Sequence, residues 1–227
     1  MRGLLVTGTD TGAGKTIVAA AVCAALRARG ERVAAFKPAV TGLDAPDPVW
    51  PMDHELLAAC TGTAADVVAP YTYGPPLSPH RAAELAARPI DPAVLVRRAE
   101  DAAAGADVLV AEGVGGLLVP LTLGYLVRDL AVDLGLPVVV AARPGLGTIN
   151  HTLLTVEAAR AAGLRVAAVV MGPWPGAGED AAAAANADAV ARLGAVDVVR
   201  MPRVAGPDVA ALAAAGASLP LERWLAA

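Results

Sequence analysis

Short apolar runs alternate along the chain with longer stretches in which apolar residues recur at helical spacing. The predicted strands cover residues 4–6, 33–36, 107–112, 137–142, 165–171 and 196–199. The predicted helices cover residues 16–29, 53–60, 79–87, 92–104, 125–134, 150–162 and 179–193. Continuous rather than alternating apolar strands are typical of a parallel sheet covered on both faces. We therefore predict an α/β fold with a doubly wound, mostly parallel sheet and helices on both faces.

Length and composition narrow the class of protein. The 227 residues contain neither an internal repeat nor a linker, so we predict a single domain over residues 1–227. Hydrophobic residues make up 56% of the chain, yet no run approaches the roughly 20 apolar residues of a membrane span. A net charge of −4 argues against electrostatic wrapping of nucleic acid. With no secretory signal pattern, we expect a cytoplasmic protein that binds neither membrane nor nucleic acid.

The basic residues are unevenly chosen, because only two of the 18 are lysines and the rest are arginines. Chance in a small sample could explain why Lys15 and Lys37 are lysines. They could also mark positions that need a compact ammonium on a flexible stem, which a planar guanidinium does not replace.

The first strand leads into a glycine-rich turn, Gly8-Thr9-Asp10-Thr11-Gly12-Ala13-Gly14-Lys15-Thr16, which opens a helix. Such a loop presents backbone N–H groups to a phosphate at a helix N-terminus. Its lysine is expected to reach the β- and γ-phosphates, and its threonine hydroxyl to ligate Mg²⁺. Counted from Gly8, the loop is one residue longer than the plain phosphate-loop pattern. We predict a nucleotide-binding loop rather than a plain connecting turn.

Two further strand ends carry charged residues. Lys37 follows the second strand, and Glu112 ends the third before a glycine-rich turn. Ligands of open α/β sheets lie at the carboxyl ends of the strands, so both side chains are candidates for the same site. Asp53 begins a helix, where it would serve either as a helix N-cap or as a second ligand of Mg²⁺.

Five blocks of the chain together resemble the ATP-dependent dethiobiotin synthetases of biotin synthesis. They are GTDTGAGKT (8–16), FKPAVTG (36–42), PYTYGPPLSPH (70–80), EGVGGLLVPL (112–121) and GLGTINHTLLT (145–155). The resemblance runs through about two-thirds of the chain, in the order of the family, and fades after Gly172. It implies a P-loop NTPase-type fold and a ligase that converts 7,8-diaminononanoate and CO₂ (or bicarbonate) to dethiobiotin, with ATP as co-substrate and Mg²⁺ as cofactor.

The resemblance also implies a role for individual residues and for a homodimer with a shared active site. Lys37, Lys15, Thr11 and Thr41 would act on the reacting groups. Gly12, Ala13, Gly14, Lys15, Thr16, Ile17, Gly172 and Pro202 would bind the nucleotide. Thr16, Asp53 and Glu112 would hold Mg²⁺. Thr41 and Gly115 would contact the diamine, and Leu146, Gly147, Thr148, Ile149 and Asn150 would receive the carboxylate tail of the substrate bound to the partner subunit.

The chain departs from the family pattern after the strand that ends at Met171. Many members carry an adenine-reading asparagine there, whereas this chain reads Gly172-Pro173-Trp174-Pro175. We therefore expect a loosened preference for the base of the nucleoside triphosphate.

Two other classes share parts of this pattern. Partition or septum-positioning switch ATPases usually carry a second lysine within the phosphate loop and a basic or amphipathic surface, and this chain has neither. Amide ligases of the cobalamin type normally continue into a glutaminase domain, for which 227 residues leave no room.

Overall fold

The computed structural model describes residues 1–176 and 181–226. Its strands are β1 (Gly3–Gly8), β2 (Val33–Phe36), β3 (Val40–Thr41), β4 (Thr72–Tyr73), β5 (Val108–Glu112), β6 (Pro120–Thr122), β7 (Tyr125–Leu126), β8 (Val138–Ala142), β9 (Val166–Met171) and β10 (Val198–Arg200). Its helices are α1 (Lys15–Ala28), α2 (Asp53–Thr61), α3 (Ala65–Val68), α4 (Pro79–Leu85), α5 (Pro92–Ala103), α6 (Val127–Leu134), α7 (Thr148–Ala161), α8 (Ala181–Gly194), α9 (Val209–Ala217) and α10 (Leu221–Leu225).

Six strands form one sheet in the order β10-β9-β8-β1-β5-β2. Every neighbouring pair in this sheet is parallel, with β1 between β5 and β8. All six strands therefore end at the same edge. This confirms the predicted parallel α/β sheet, and it brings the residues that follow each strand together.

Successive residues of each strand enter different cores, because side chains alternate between the two faces of a sheet. Leu4 and Val6 of β1 lie in a core with α1, α2, α9 and α10, whereas Leu5 lies in a second core with α5 and α6. A third core joins the ends of β8 and β9 to α7 and α8. The sheet is thus covered on both faces, as the continuous apolar runs predict.

Several predicted element boundaries were wrong. The helix predicted over 125–134 begins at Val127, because residues 125–126 pair with β6 in a short hairpin. The helix predicted from Asn150 begins at Thr148, after Gly147 in the left-handed region. The described part of the helix predicted over 179–193 begins at Ala181, and residues 179–180 lie outside the described residues.

The helix α9 near the C-terminus was not predicted, because its run of alanines shows no polar face. It packs against α1, which is also rich in alanine, at very short range. A Cβ atom built on Gly216 of α9 would lie 2.1 Å from the carbonyl oxygen of Ala21. Helices of small residues can approach this closely because no side chains separate their backbones. This contact holds α9 against α1, whose first residues are the end of the glycine-rich loop.

Candidate active site

A cavity of about 760 Å³ opens at the carboxyl edge of the sheet. This size is within the usual range for small-molecule sites. The predicted site residues that line the cavity are Thr11, Gly12, Ala13, Gly14, Lys15, Thr16, Ile17, Lys37, Thr41, Asp53, Gly115, Gly172 and Pro202. Glu112 lies directly beneath it and is fully buried. The structure therefore brings most of the predicted site together.

The glycine-rich loop connects β1 to the first turn of α1. Gly12 and Gly14 have φ angles of +69° and +92°, a backbone region that L side chains rarely adopt. The Lys15 side chain folds back over the loop, and its Nζ donates a hydrogen bond to the carbonyl oxygen of Asp10 at 3.0 Å. Burial lowers the pKa of Lys15, although the carboxylates of Glu112 and Asp53 oppose this shift. The loop has the geometry of a phosphate cradle with an ammonium above it.

Three oxygen-bearing side chains meet where α1 begins. The Thr16 Oγ1 atom lies 2.8 Å from Asp53 Oδ1 and 2.9 Å from Glu112 Oε1. A hydroxyl carries one proton, so Thr16 can donate to only one of these carboxylates at a time. The second oxygen of Glu112, Oε2, is buried and has no hydrogen-bond partner among the described residues. Carboxylate and hydroxyl oxygens are the ligands that hard cations such as Mg²⁺ prefer.

Lys37 lies beside the same carboxylates. Its Nζ is 2.6 Å from Glu112 Oε1, 2.9 Å from Asp53 Oδ2 and 3.2 Å from the carbonyl oxygen of Gly113. An ammonium carries three protons, and Lys37 has three acceptors. Burial alone would lower the pKa of Lys37, but Asp53 and Glu112 hold it above its ordinary value. Lys37 is therefore a buried cation.

The two carboxylates differ in their environment. Burial raises the pKa of Glu112, while the nearby Lys37 ammonium opposes that shift. Burial would also raise the pKa of Asp53, but Lys37 and the hydrogen bond from Thr16 lower it overall. Asp53 is consequently the more readily ionised of the two.

Asp53 is not the helix N-cap that its position suggested. It is the first residue of α2, and the N-cap is Met52, whose backbone N–H donates to Glu55 Oε2 at 2.9 Å. Glu55 thus satisfies the helix start, and both oxygens of Asp53 face Thr16 and Lys37. The structure therefore rules out the N-cap role, and the role of Asp53 as a ligand of Mg²⁺ stays a prediction.

The segment Leu146–Asn150 does not line the cavity of its own chain. Leu146 is fully exposed, and Asn150 is exposed in the first turn of α7. Thr148 is buried, and its hydroxyl lies 3.3 Å from that of Thr152, so its side chain faces the interior of the protein. Its predicted contact with a substrate bound by another subunit stays a prediction.

Several residues of the site were not predicted from the sequence, among them Trp50 and Arg143. Trp50 lines the cavity from the irregular segment after β3, and its backbone N–H donates to Asp47 Oδ1 at 2.9 Å. Arg143 follows β8 and donates hydrogen bonds to two carbonyl oxygens of the glycine-rich loop. The signal for Arg143 was present, because it follows a parallel strand in the same way as Lys37 does. Trp50 had no comparable signal.

The fold and the loop define a P-loop nucleoside-triphosphate-binding protein. A family model described as an AAA domain matches residues 2–202. The chain is 47% identical to the ATP-dependent dethiobiotin synthetase BioD of Anaeromyxobacter dehalogenans over 195 residues, which are 85% of this chain and 86% of that protein. It is 45% identical to the BioD of Rhodococcus jostii, over 76% of this chain and 74% of that protein. The chain belongs to the dethiobiotin synthetase family.

Solved structures with low sequence similarity share the fold alone. Chloroplast FtsY from Physcomitrella patens superposes with a TM-score of 0.51 at 16% identity, over 95% of this chain and 65% of that one. The signal recognition particle 54 kDa protein of Aeropyrum pernix superposes with a TM-score of 0.50 at 16% identity, over 91% of this chain and 42% of that one.

No helix among the described residues is long and apolar enough to cross a membrane.

Proposed function

We propose that this protein is an ATP-dependent dethiobiotin synthetase that acts as one domain in the cytosol, where ATP is available. It closes the ureido ring of dethiobiotin from 7,8-diaminononanoate and CO₂, releasing ADP and phosphate. The observation that carries the proposal is the pair of buried ammonium groups, Lys15 and Lys37, at one cavity beside a phosphate-type loop. Family membership gives the reaction its substrate.

The chemistry requires cations more than it requires a protein nucleophile. One amine of the diamine takes up CO₂ to form a carbamate, whose oxygen attacks the γ-phosphate and expels ADP. The second amine then attacks the carbonyl carbon of the mixed anhydride, closes the five-membered ring and expels phosphate. Carbamate and triphosphate are both anionic, so catalysis rests on fixed positive charge and on positioning.

Each proposed role falls to a residue that lines the cavity. Lys15, above the glycine-rich loop, would bind the β- and γ-phosphates. Lys37, at the floor of the cavity, would lie between the carbamate and the γ-phosphate. Thr11 and Thr41 line the cavity walls and would donate hydrogen bonds to the reacting groups. The second amine needs only proximity to the anhydride.

The oxygen cluster suits Mg²⁺. Among the described residues no three His, Cys, Asp or Glu side chains form a metal-binding group. Mg²⁺ typically takes one or two carboxylates together with the phosphates of its nucleotide, and Asp53, Glu112 and the Thr16 hydroxyl supply that set. When bound, the ion would neutralise charge on the phosphates. The unpartnered Glu112 Oε2 supports this fit.

A homodimer would complete the substrate site. Gly147 has a φ of +88° and precedes α7, whose first-turn N–H groups form an anion-binding end. Leu146–Asn150 lies outside its own cavity, so the segment is free to receive the carboxylate tail of a diamine bound to the partner subunit. The fully exposed Leu146 supports a contact with a second copy.

Release of phosphate from ATP tests the proposal. We expect release to require both the diamine and bicarbonate, with dethiobiotin formed in equal amount. Release stimulated instead by DNA or by lipid vesicles, with no dependence on the diamine, would favour a switch ATPase. The Lys15→Ala variant is the control, since removing the loop ammonium should abolish release under either condition.

A further inference from the structure

We infer that Arg143 is a positioning residue of the nucleotide site, which fixes the direction of the N–H groups in the glycine-rich loop. Arg143 follows β8 and contacts the loop, and it is not among the residues that line the cavity. Its Nε donates to the carbonyl oxygen of Gly12 and its Nη2 to that of Thr11, both at 3.0 Å. The inference rests on the proposed function only in that the loop binds a nucleoside triphosphate.

Peptide geometry connects these two hydrogen bonds to phosphate binding. In a trans peptide unit the C=O and N–H groups point in opposite directions. The carbonyls of Thr11 and Gly12 share their peptide units with the N–H groups of Gly12 and Ala13. Holding both oxygens on the side of Arg143 therefore turns both N–H groups towards the opposite side. Gly12 and Ala13 both line the cavity.

The close packing of the guanidinium supports a fixed arrangement. A Cβ atom built on Gly12 would lie 2.8 Å from Arg143 Nη2, so a side chain there would push the guanidinium away, and the φ of +69° is one that L side chains rarely adopt. The backbone after Arg143 is itself held, because Asn186 Nδ2 of α8 donates to the carbonyl oxygen of Pro144 at 3.0 Å. Arg143 thus ties the loop after β1 to the loop after β8.

The contact with the loop depends on the planar guanidinium of arginine. Two donors on one rigid group reach two consecutive carbonyls, whereas a lysine ammonium is a point charge on a flexible stem. Arg143 forms no salt bridge to a carboxylate among the described residues, so its hydrogen bonds to the loop are its main polar contacts. Arg143→Lys retains the charge and loses the fork, which separates positioning from simple attraction of the phosphates.

The chain provides a matched control. Arg160 is also exposed, and it also binds two consecutive carbonyl oxygens, those of Gly194 and Ala195. That contact joins α7 to the end of α8 and is not part of the cavity lining. Arg160→Ala therefore removes a similar number of hydrogen bonds without touching the loop.

Calorimetric titration with ATP and Mg²⁺ gives the first readout. We expect Arg143→Ala and Arg143→Lys each to weaken ATP binding about tenfold or more, which corresponds to about 1.4 kcal/mol. Arg160→Ala should bind ATP as the wild type does. Wild-type affinity in Arg143→Lys would overturn the inference, because charge alone would then be sufficient.

Amide NMR spectra of the protein without nucleotide give a second readout that does not depend on the proposed function. The Gly12 and Ala13 amide signals should shift or broaden in both Arg143 variants and stay unchanged in Arg160→Ala. Unchanged signals in the Arg143 variants would overturn the inference. Failure of the wild type to bind ATP would overturn the proposed function alone, and the spectra would still decide the role of Arg143.

Discussion

The Lys37 ammonium lies 2.6 Å from Glu112 Oε1, although 75 residues separate the two along the chain. Lys37 follows β2 and Glu112 ends β5, and these strands are neighbours in the sheet. The same Glu112 oxygen also lies 2.9 Å from the Thr16 hydroxyl. One buried carboxylate oxygen therefore contacts both a proposed catalytic cation and a proposed metal ligand.

Replacing Lys37 by arginine should lower turnover by about tenfold or more. The bulkier planar cation cannot occupy the space between Asp53 and Glu112 that the ammonium fills. The rate of dethiobiotin formation at saturating ATP and diamine measures the effect, and a melting curve checks that the variant folds. Near-normal turnover in a folded variant would contradict the role given to Lys37.

Glu112→Gln should raise the Mg²⁺ concentration needed for half-maximal rate by about tenfold or more, because it removes the charge of a proposed ligand. Asp53→Asn should act in the same direction. Glu55→Gln is the control from the same helix as Asp53, since Glu55 binds the backbone of Met52 instead of the site. An unchanged Mg²⁺ requirement in both site variants would refute the assignment of the metal site.

The protein should discriminate weakly between nucleotide bases. Gly172 offers no side-chain amide to the base. An asparagine at this position would be crowded, because a Cβ on Gly172 would lie 3.1 Å from Met201 Cβ and 3.2 Å from the Met201 carbonyl oxygen. Turnover with ATP, CTP and GTP at equal concentration measures the preference. A preference for ATP of about a hundredfold or more would show that other groups read the base.

A mixing experiment tests whether two subunits share each site. Asn150→Asp should raise the KM for the diamine, because its charge opposes the substrate carboxylate while an acidic residue in the first turn leaves α7 stable. Lys15→Ala should be inactive. Random exchange makes about half the dimers mixed, each with one intact site of two, so at a diamine concentration too low for the Asn150→Asp dimer to turn over, the mixture should regain about a quarter of wild-type activity. Activity no greater than that of the unmixed variants would place each site within one subunit.

Acid should weaken a contact at the opposite end of the sheet. Hydrogen bonds from Arg32 lower the pKa of Asp107 to about 2, and they join the chain before β2 to the start of β5. Because folding lowers this pKa, the ionised carboxylate of Asp107 stabilises the folded protein above its ordinary pKa of 3.8. That stabilisation is lost as the pH falls towards 2. Asp107→Asn should therefore melt at a lower temperature than the wild type at pH 7. The difference in melting temperature between the variant and the wild type should narrow below pH 4. A difference that is the same at every pH would contradict the stabilising role of the Asp107 carboxylate.

Sequence alone determined the strands of the main sheet, the glycine-rich loop and the residues at the strand ends. These features are local: a continuous apolar run identifies a buried strand, and the residue after it belongs to the ligand edge because the sheet is parallel. Lys15, Lys37 and Glu112 could be selected in this way without knowledge of any contact between them.

Only the tertiary structure decided which atoms meet. Whether Asp53 caps its helix or faces the site depended on Glu55 binding Met52, and the partners of Lys37 depended on the order of β1, β5 and β2. The packing of α9 on α1 and the fork of Arg143 on the loop likewise join segments far apart in the chain. Such contacts are set by the packing of whole elements, and hydrophobic periodicity carries no information about them.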